Sequence, residues 1–134
     1  MTCDFYKFAI DLYEDKKADA NSATIRTCVS RLYYSVYHVV LDWLVEHRSK
    51  LLSQYNCGSH EKLQFCLKAI SRETKNLRFN QLAVKLHSLH SKRCLADYKM
   101  QHIANVQQVE LMIKEVEQAF SLFEELTSSA IQIA

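Results

Sequence analysis

An arginine, a tyrosine and a histidine recur at helical spacing in the segment RLYYSVYH, residues 31–38. Steps of three and seven residues return to nearly the same face of an α-helix, so Arg31, Tyr34 and His38 are predicted to form one polar stripe. Arginine can hold a phosphate with two parallel hydrogen bonds, and histidine can move a proton near neutral pH. The structural alternative, favoured from this helix alone, pairs Arg31 with a buried carboxylate and makes His38 a satisfied core histidine.

The second candidate is the segment KRCLADY, residues 92–98, with His102 shortly beyond it. Arg93 precedes Asp97 by four residues, which is the less favourable order of charges for a pair on one helix. One of the two is therefore expected to have a partner on another helix, and the specific prediction is an ion pair between Asp97 and Arg31. The alternative is a surface ion pair between Arg93 and Asp97, which contributes about 0–1 kcal/mol to stability.

The remaining histidines and the cysteines carry weaker signals. His87 and His90 are three residues apart, but they lack a clear third ligand, so no metal site is predicted. His60 follows Ser59, a plausible helix N-cap. The sequence contains no serine-hydrolase motif, no zinc-protease motif and no paired catalytic carboxylates. No cofactor is predicted. The five cysteines have no zinc-finger spacing; they are Cys3, Cys28, Cys57, Cys66 and Cys94.

Composition indicates a helical protein. The chain has 134 residues with one glycine and no proline, which excludes an all-β fold, a glycine-rich phosphate loop and a dinucleotide-binding fingerprint. The 17 basic and 15 acidic residues give a net charge of +2, too balanced to identify a nucleic-acid partner. Scattered cysteines, no signal-peptide pattern and no membrane-spanning stretch favour a cytoplasmic location.

Apolar periodicity predicts the elements that position these residues. The expected fold is all-α, a single domain over residues 1–134 built as an antiparallel bundle of four to five helices. The core is expected over residues 4–126, and the tail over residues 127–134 is expected to be frayed or engaged with a partner. The predicted helices cover residues 4–17, 23–47, 59–74, 81–98 and 106–126, with connections at 49–58 and 76–80 and a break near 99–105.

Basic residues cluster around the end of the third predicted helix and along the fourth. Such a rim could bind RNA or an acidic partner, or it could be an ordinary solvated face, and the sequence favours neither. The residues are Lys68, Arg72, Lys75, Arg78, Lys85, Lys92, Arg93 and Lys99.

Three of these motifs, in this order, resemble those of small stand-alone HEPN proteins (higher eukaryotes and prokaryotes nucleotide-binding). SRLYYSVYH, residues 30–38, is similar to the second-helix signature of that family. Ser59 and His60 are similar to its histidine at the start of helix three, and RCLADY, residues 93–98, is similar to its Arg-x-x-Ala-Asp-Tyr stretch. The resemblance covers about residues 4–126.

The resemblance implies an all-helical bundle that is often a homodimer. Many HEPN proteins are metal-independent ribonucleases in toxin–antitoxin, abortive-infection or CRISPR systems, and others are partners of minimal nucleotidyltransferases. The family's ribonuclease motif is an arginine, four to six residues and a histidine on a late helix. Arginine would stabilise the phosphate charge while histidine assists attack by the 2′-hydroxyl.

This sequence differs from the ribonuclease motif at the late helix. Tyr98 stands where a histidine would follow Arg93, and eight residues separate Arg93 from His102. Arg31 and His38 have the motif's spacing, with six residues between them, but they lie on the second predicted helix.

Three functions therefore remain open. The first is a module that binds RNA, a nucleotide or a nucleotidyltransferase-type partner in toxin–antitoxin or antiviral defence. The second is a metal-independent endoribonuclease, with Arg31, His38, Arg93 and His102 as catalytic candidates. The third is a structural helical adaptor whose acidic last helix is the binding face. The ligand- or RNA-binding candidates are Tyr34, His60, Lys92, Arg93, Asp97 and Tyr98.

Overall fold

The computed structural model describes residues 4–19, 21–99 and 104–133, with side chains as far as residue 128. These residues contain no β-strand, which confirms the predicted all-α class. Among them, no helix combines the length and hydropathy needed to cross a membrane. The helices are α1 (Asp4–Lys16), α2 (Ser22–His47), α3 (Ser49–Ser53), α4 (Ser59–Thr74), α5 (Leu77–Tyr98) and α6 (Val106–Ile133).

Helix α2 is the centre of the fold, because it packs against α1, α5 and α6 and also contacts α3 and α4. Its broad apolar arc explains this position. Leu32, Val36, Val40 and Leu44 recur every four residues, and each is at most 1% exposed. Helix α2 therefore carries the segment 31–38 through the middle of the molecule.

The helix ends correct two predicted connections. Residues 49–53, predicted as part of a connection, form the one-turn helix α3, whose Leu51 and Leu52 pack against the core. Residues 77–80, predicted as a polar link, are the first turn of α5. The Asn76 side chain accepts a hydrogen bond from the Arg78 backbone N–H at 3.0 Å, so Asn76 is the N-cap.

Helix α6 is longer than predicted and reaches Ile133. At the predicted boundary, Thr127 is buried and its hydroxyl donates to the Phe123 carbonyl oxygen at 2.8 Å. A threonine that satisfies its hydroxyl within the helix allows the helix to continue. The polar residues after Leu126 predict an end to the helix, because the sequence does not show that the Thr127 hydroxyl bonds to a carbonyl oxygen of its own helix.

Candidate functional site

Arg93 lies inside the molecule, where α5 meets α2, and is 8% exposed. Its Nε donates to Asp97 Oδ2 at 2.8 Å, and its Nη2 donates to the Tyr98 hydroxyl at 2.9 Å. Ser30 of α2 also donates to Asp97 Oδ2, at 3.3 Å. Arg93 and Asp97 are therefore not a surface ion pair but belong to a polar cluster that joins α2 to α5.

Two tyrosine rings complete the surroundings of this guanidinium. Arg93 Cζ lies 5.0 Å from the Tyr34 ring centroid and 5.1 Å from that of Tyr98, within the range of cation–π attraction. Burial lowers the pKa of Arg93, but Tyr34, the Asp97 hydrogen bond and Tyr98 outweigh it, so the pKa is raised. The charge of Arg93 is thus satisfied within the chain, which opposes a direct role in binding a phosphate.

The predicted ion pair between Asp97 and Arg31 is wrong. Asp97 takes its hydrogen bonds from Arg93 and Ser30, and Arg31 forms no ion pair with a carboxylate of the described residues. Arg31 is exposed, and its Cζ lies 5.6 Å from the ring centroid of Phe5. The sequence could not anticipate this, because only the docking of α1 brings Phe5 to α2.

His38 contacts the same phenylalanine ring as Arg31. The His38 and Phe5 rings stack with centroids 4.8 Å apart and an interplanar angle of 14°. His38 is half-buried, so it is not sealed in the core. Arg31 and His38, predicted to share a stripe, therefore both pack on Phe5 at the surface where α1 meets α2.

Two surface depressions include Arg31 in their lining. One, of about 360 Å³, is lined by Asp4, Phe5, Phe8 and Arg31. The other, of about 310 Å³, is more polar, and its lining includes Ser30, Arg31 and Asp97. Phe8 is 53% exposed, so about half of its side chain is open to solvent at this surface. We call Phe5, Phe8, Arg31 and His38 the α1–α2 surface.

A second group of rings surrounds His60 at the start of α4. The Tyr33 hydroxyl and His60 Nδ1 are 2.6 Å apart, and the His60 ring stacks on His90 with centroids 4.3 Å apart. Burial, then His90 and Arg93, lower the pKa of His60 to about 4. Burial and Arg93 also lower the pKa of His90. Both rings are therefore neutral at physiological pH.

The predicted binding residues do not form one site. Tyr34, Arg93, Asp97 and Tyr98 are together, and His60 adjoins them, with its ring centroid 6.1 Å from that of Tyr34. Lys92 is separate, because it pairs with Glu115 of α6. His102 lies outside the described residues.

Sequence reasoning missed two features of these surfaces. The spacing of Phe5 and Phe8 places them on one apolar stripe of the first helix, which does not predict that both line a surface depression with Arg31. The contact between His90 and Cys94 was also missed, although its four-residue spacing on α5 was a usable signal. Within the described residues, no three histidine, cysteine or carboxylate side chains are arranged to hold a metal ion.

Comparison of the chain with protein-family models, curated proteins and solved structures finds no match. The functional conclusion therefore depends on the geometry of these residues.

Proposed function

We propose that this chain is a HEPN-like module that binds single-stranded RNA through the α1–α2 surface. The observation that carries the proposal is Arg31, which is exposed and has no described carboxylate partner. An exposed guanidinium that forms no ion pair with a described carboxylate is suited to a phosphate, which it can bind with two parallel hydrogen bonds.

The aromatic residues beside Arg31 support RNA more than an isolated anion. Phe8 presents about half of its surface to solvent, and it shares the larger depression with Arg31 and Phe5. Proteins that bind single strands combine basic residues, which follow the backbone, with aromatic rings, on which bases stack. The depression offers one of each within a single concave surface.

The Arg93 cluster has a supporting part in this proposal. Its guanidinium joins Asp97 on α5 to Tyr34 on α2, and Tyr34 lies beside His38 with ring centroids 5.9 Å apart. We assign the cluster to holding α2 in place under the binding surface. The resemblance to HEPN proteins supports a setting in toxin–antitoxin or antiviral defence.

RNA cleavage at the same surface is the second candidate. It is favoured by the contacts of Arg31 and His38 with one Phe5 ring, because a phosphate held by Arg31 would lie near a proton-transferring imidazole. The adaptor hypothesis has less support. Three acidic residues of α6 are bound within the chain: Glu110 by Tyr13, Glu117 by Tyr6 and Glu115 by Lys92.

We propose that the partner of this module is a second copy of the same chain. Positions 77, 81, 84, 88, 91, 95 and 98 follow the alternating three- and four-residue steps of a helix-pairing seam. Four of them carry exposed apolar side chains at fractions of 75%, 57%, 39% and 65%: Leu77, Val84, Leu95 and Tyr98. Ser88 and Ser91 leave the middle of the seam small, so two copies of α5 could pair across a two-fold axis near Ser88.

Fluorescence anisotropy with a labelled, mixed-sequence single-stranded RNA tests the binding proposal. Wild type is expected to bind, and Arg31→Ala is expected to weaken binding about tenfold, the loss of one charge-assisted contact. Phe8→Ala should weaken binding without changing its salt dependence, whereas Arg31→Ala should reduce the salt slope by about one. Arg72→Ala, which removes an exposed arginine from the last turn of α4, is the matched control.

The same samples test cleavage when they are incubated with EDTA and separated on a denaturing gel. Products that disappear in His38→Ala, while that variant still binds RNA, would establish the ribonuclease. Wild type that neither binds nor cleaves RNA, or equal losses in Arg31→Ala and Arg72→Ala, would contradict the proposed function.

A further inference from the structure

A cysteine and a histidine are paired on the surface of α5, outside the α1–α2 surface. Cys94 Sγ lies 3.5 Å from His90 Nε2, a distance that suits a hydrogen bond to sulfur. Both side chains are half-buried, so the pair is not sealed in the core. The pair therefore combines a nucleophile with a base in direct contact.

The base of this pair is held in place by groups from two other helices. The His90 ring stacks on the His60 ring of α4 at an interplanar angle of 21°. His60 is in turn fixed by the hydroxyl of Tyr33 on α2, and Tyr33 is 2% exposed. A nucleophile, a base and a third group that orients the base is the arrangement that activates side-chain nucleophiles.

The charge state of His90 suits this role. Burial, then the Arg93 guanidinium, lower its pKa, so the ring is neutral at pH 7 and has one unprotonated nitrogen. In the tautomer with its proton on Nδ1, the free lone pair of Nε2 points at the thiol.

We propose that Cys94 and His90 form a site of covalent modification, in which Cys94 exchanges with small disulfides. His90 Nε2 accepts the thiol proton as Cys94 Sγ attacks one sulfur of the disulfide. A new S–S bond joins Cys94 to that sulfur, the old S–S bond breaks, and the second sulfur leaves as a thiolate that takes the proton. Cys94 is oxidised and the departing sulfur is reduced, so electrons and protons balance.

The other described cysteines provide contrasts within the same molecule. Cys28 and Cys66 are buried, and burial raises the pKa of both thiols. Cys57 is half-buried like Cys94, but no described histidine is bonded to it. Cys57 therefore serves as an internal control of similar accessibility without a base. This inference does not depend on RNA binding.

The test is the rate of reaction of wild type with 2,2′-dithiodipyridine at pH 7. The reaction is quenched at intervals, and peptide mass spectrometry measures the modified fraction of Cys94 and Cys57 separately. We expect Cys94 to react about tenfold faster than Cys57, a modest value for assistance by a positioned base. In His90→Gln the ratio should fall to about one, and in the matched variant His87→Gln, which changes an exposed histidine of α5, it should not change.

The buried Cys66 monitors the fold in each variant, because its modification requires the core to open. Tyr33→Phe removes only the hydroxyl that fixes His60, and it should lower the ratio to between the values of wild type and His90→Gln. Equal rates for Cys94 and Cys57 in wild type would overturn the proposal. A ratio that survives in both His90→Gln and Tyr33→Phe, with Cys66 still protected, would also overturn it.

Discussion

At the scale of single residues, the chain uses its two motif arginines in opposite ways. Arg93 is enclosed by two tyrosine rings and a carboxylate, whereas Arg31 is exposed and packs on Phe5. Both match the resemblance equally well in sequence. Burial alone separates a guanidinium that holds the fold together from one that can take an external phosphate.

Removing the Arg93 side chain should destabilise the protein strongly. Arg93→Met leaves the partly buried Asp97 with only the Ser30 hydroxyl, and we expect a loss of about 2–4 kcal/mol in the free energy of unfolding. Arg31→Met, which makes the same chemical change at the surface, should alter it by less than about 0.5 kcal/mol. Urea unfolding of both variants measures this, and equal losses would show that Arg93 is not a core residue.

Acid should destabilise the fold through His60. The pKa of His60 is about 6.5 in the unfolded chain and about 4 in the folded chain. Between about pH 6.5 and pH 4, the unfolded chain therefore binds a proton at His60 that the folded chain does not bind. Stability should therefore fall as pH drops from about 6.5 to about 4 and then level off with respect to this group. His90, whose pKa is lowered as well, acts in the same direction.

The measurement is the urea midpoint of wild type, His60→Gln and His87→Gln across this pH range. His60→Gln, which keeps an acceptor for Tyr33, should show a smaller decrease. His87→Gln should follow wild type. An unchanged decrease in His60→Gln would assign the acid sensitivity to other groups.

At the scale of elements, the apolar periodicity predicted most of the fold. The third predicted helix matches α4 over its length, but the predicted N-cap Ser59 is wrong, because Gly58 is the N-cap and Ser59 is the first helical residue. The second predicted helix differs from α2 by one residue. Helix α3 was missed because five residues cannot show a period. The partners of Arg31 and Asp97 were missed because a single sequence reports spacing along one helix but not which helix docks beside it.

The end of α4 stores strain that a glycine would relieve. Lys75 has φ 56° and ψ 33°, a left-handed conformation that a side chain disfavours. Lys75→Gly should therefore stabilise the protein by about 0.5–1 kcal/mol. Lys75→Ala removes the same charge but keeps the Cβ, so it should show no such gain. Thermal and urea unfolding distinguish the two, and equal stabilities would locate the effect in the charge.

At the scale of the whole molecule, the proposed RNA-binding surface, the Cys94–His90 pair and the proposed seam involve different sets of residues. The α1–α2 surface includes Phe5 and Arg31, whereas the seam lies along the outer side of α5. Cys94 contacts His90, whose ring stacks on His60 of α4. Pairing through the seam would therefore leave RNA binding at the α1–α2 surface of each copy.

Self-association is testable by sedimentation velocity. The mass of the wild type from sedimentation velocity should be twice the chain mass of 15.6 kDa. The Val84→Glu variant should have the mass of the monomer. Val45→Glu is the matched control, since Val45 is 53% exposed and Val84 is 57% exposed. Ser88→Cys should form a disulfide between two copies across the two-fold axis. A monomeric wild type, or equal effects of the two valine variants, would exclude the seam.

The pairing order of the helices has a consequence for how the chain reaches this fold. The two most extensive contacts join helices adjacent in sequence, α1 with α2 and α4 with α5, whereas α6 packs against both the preceding α5 and the distant α2. Such local pairing favours rapid folding. On the ribosome, two helical hairpins can form before α6 emerges, and each would expose the apolar surface that α6 later covers. The interval before α6 emerges is therefore the period in which nascent chains are most exposed to aggregation and most in need of a chaperone.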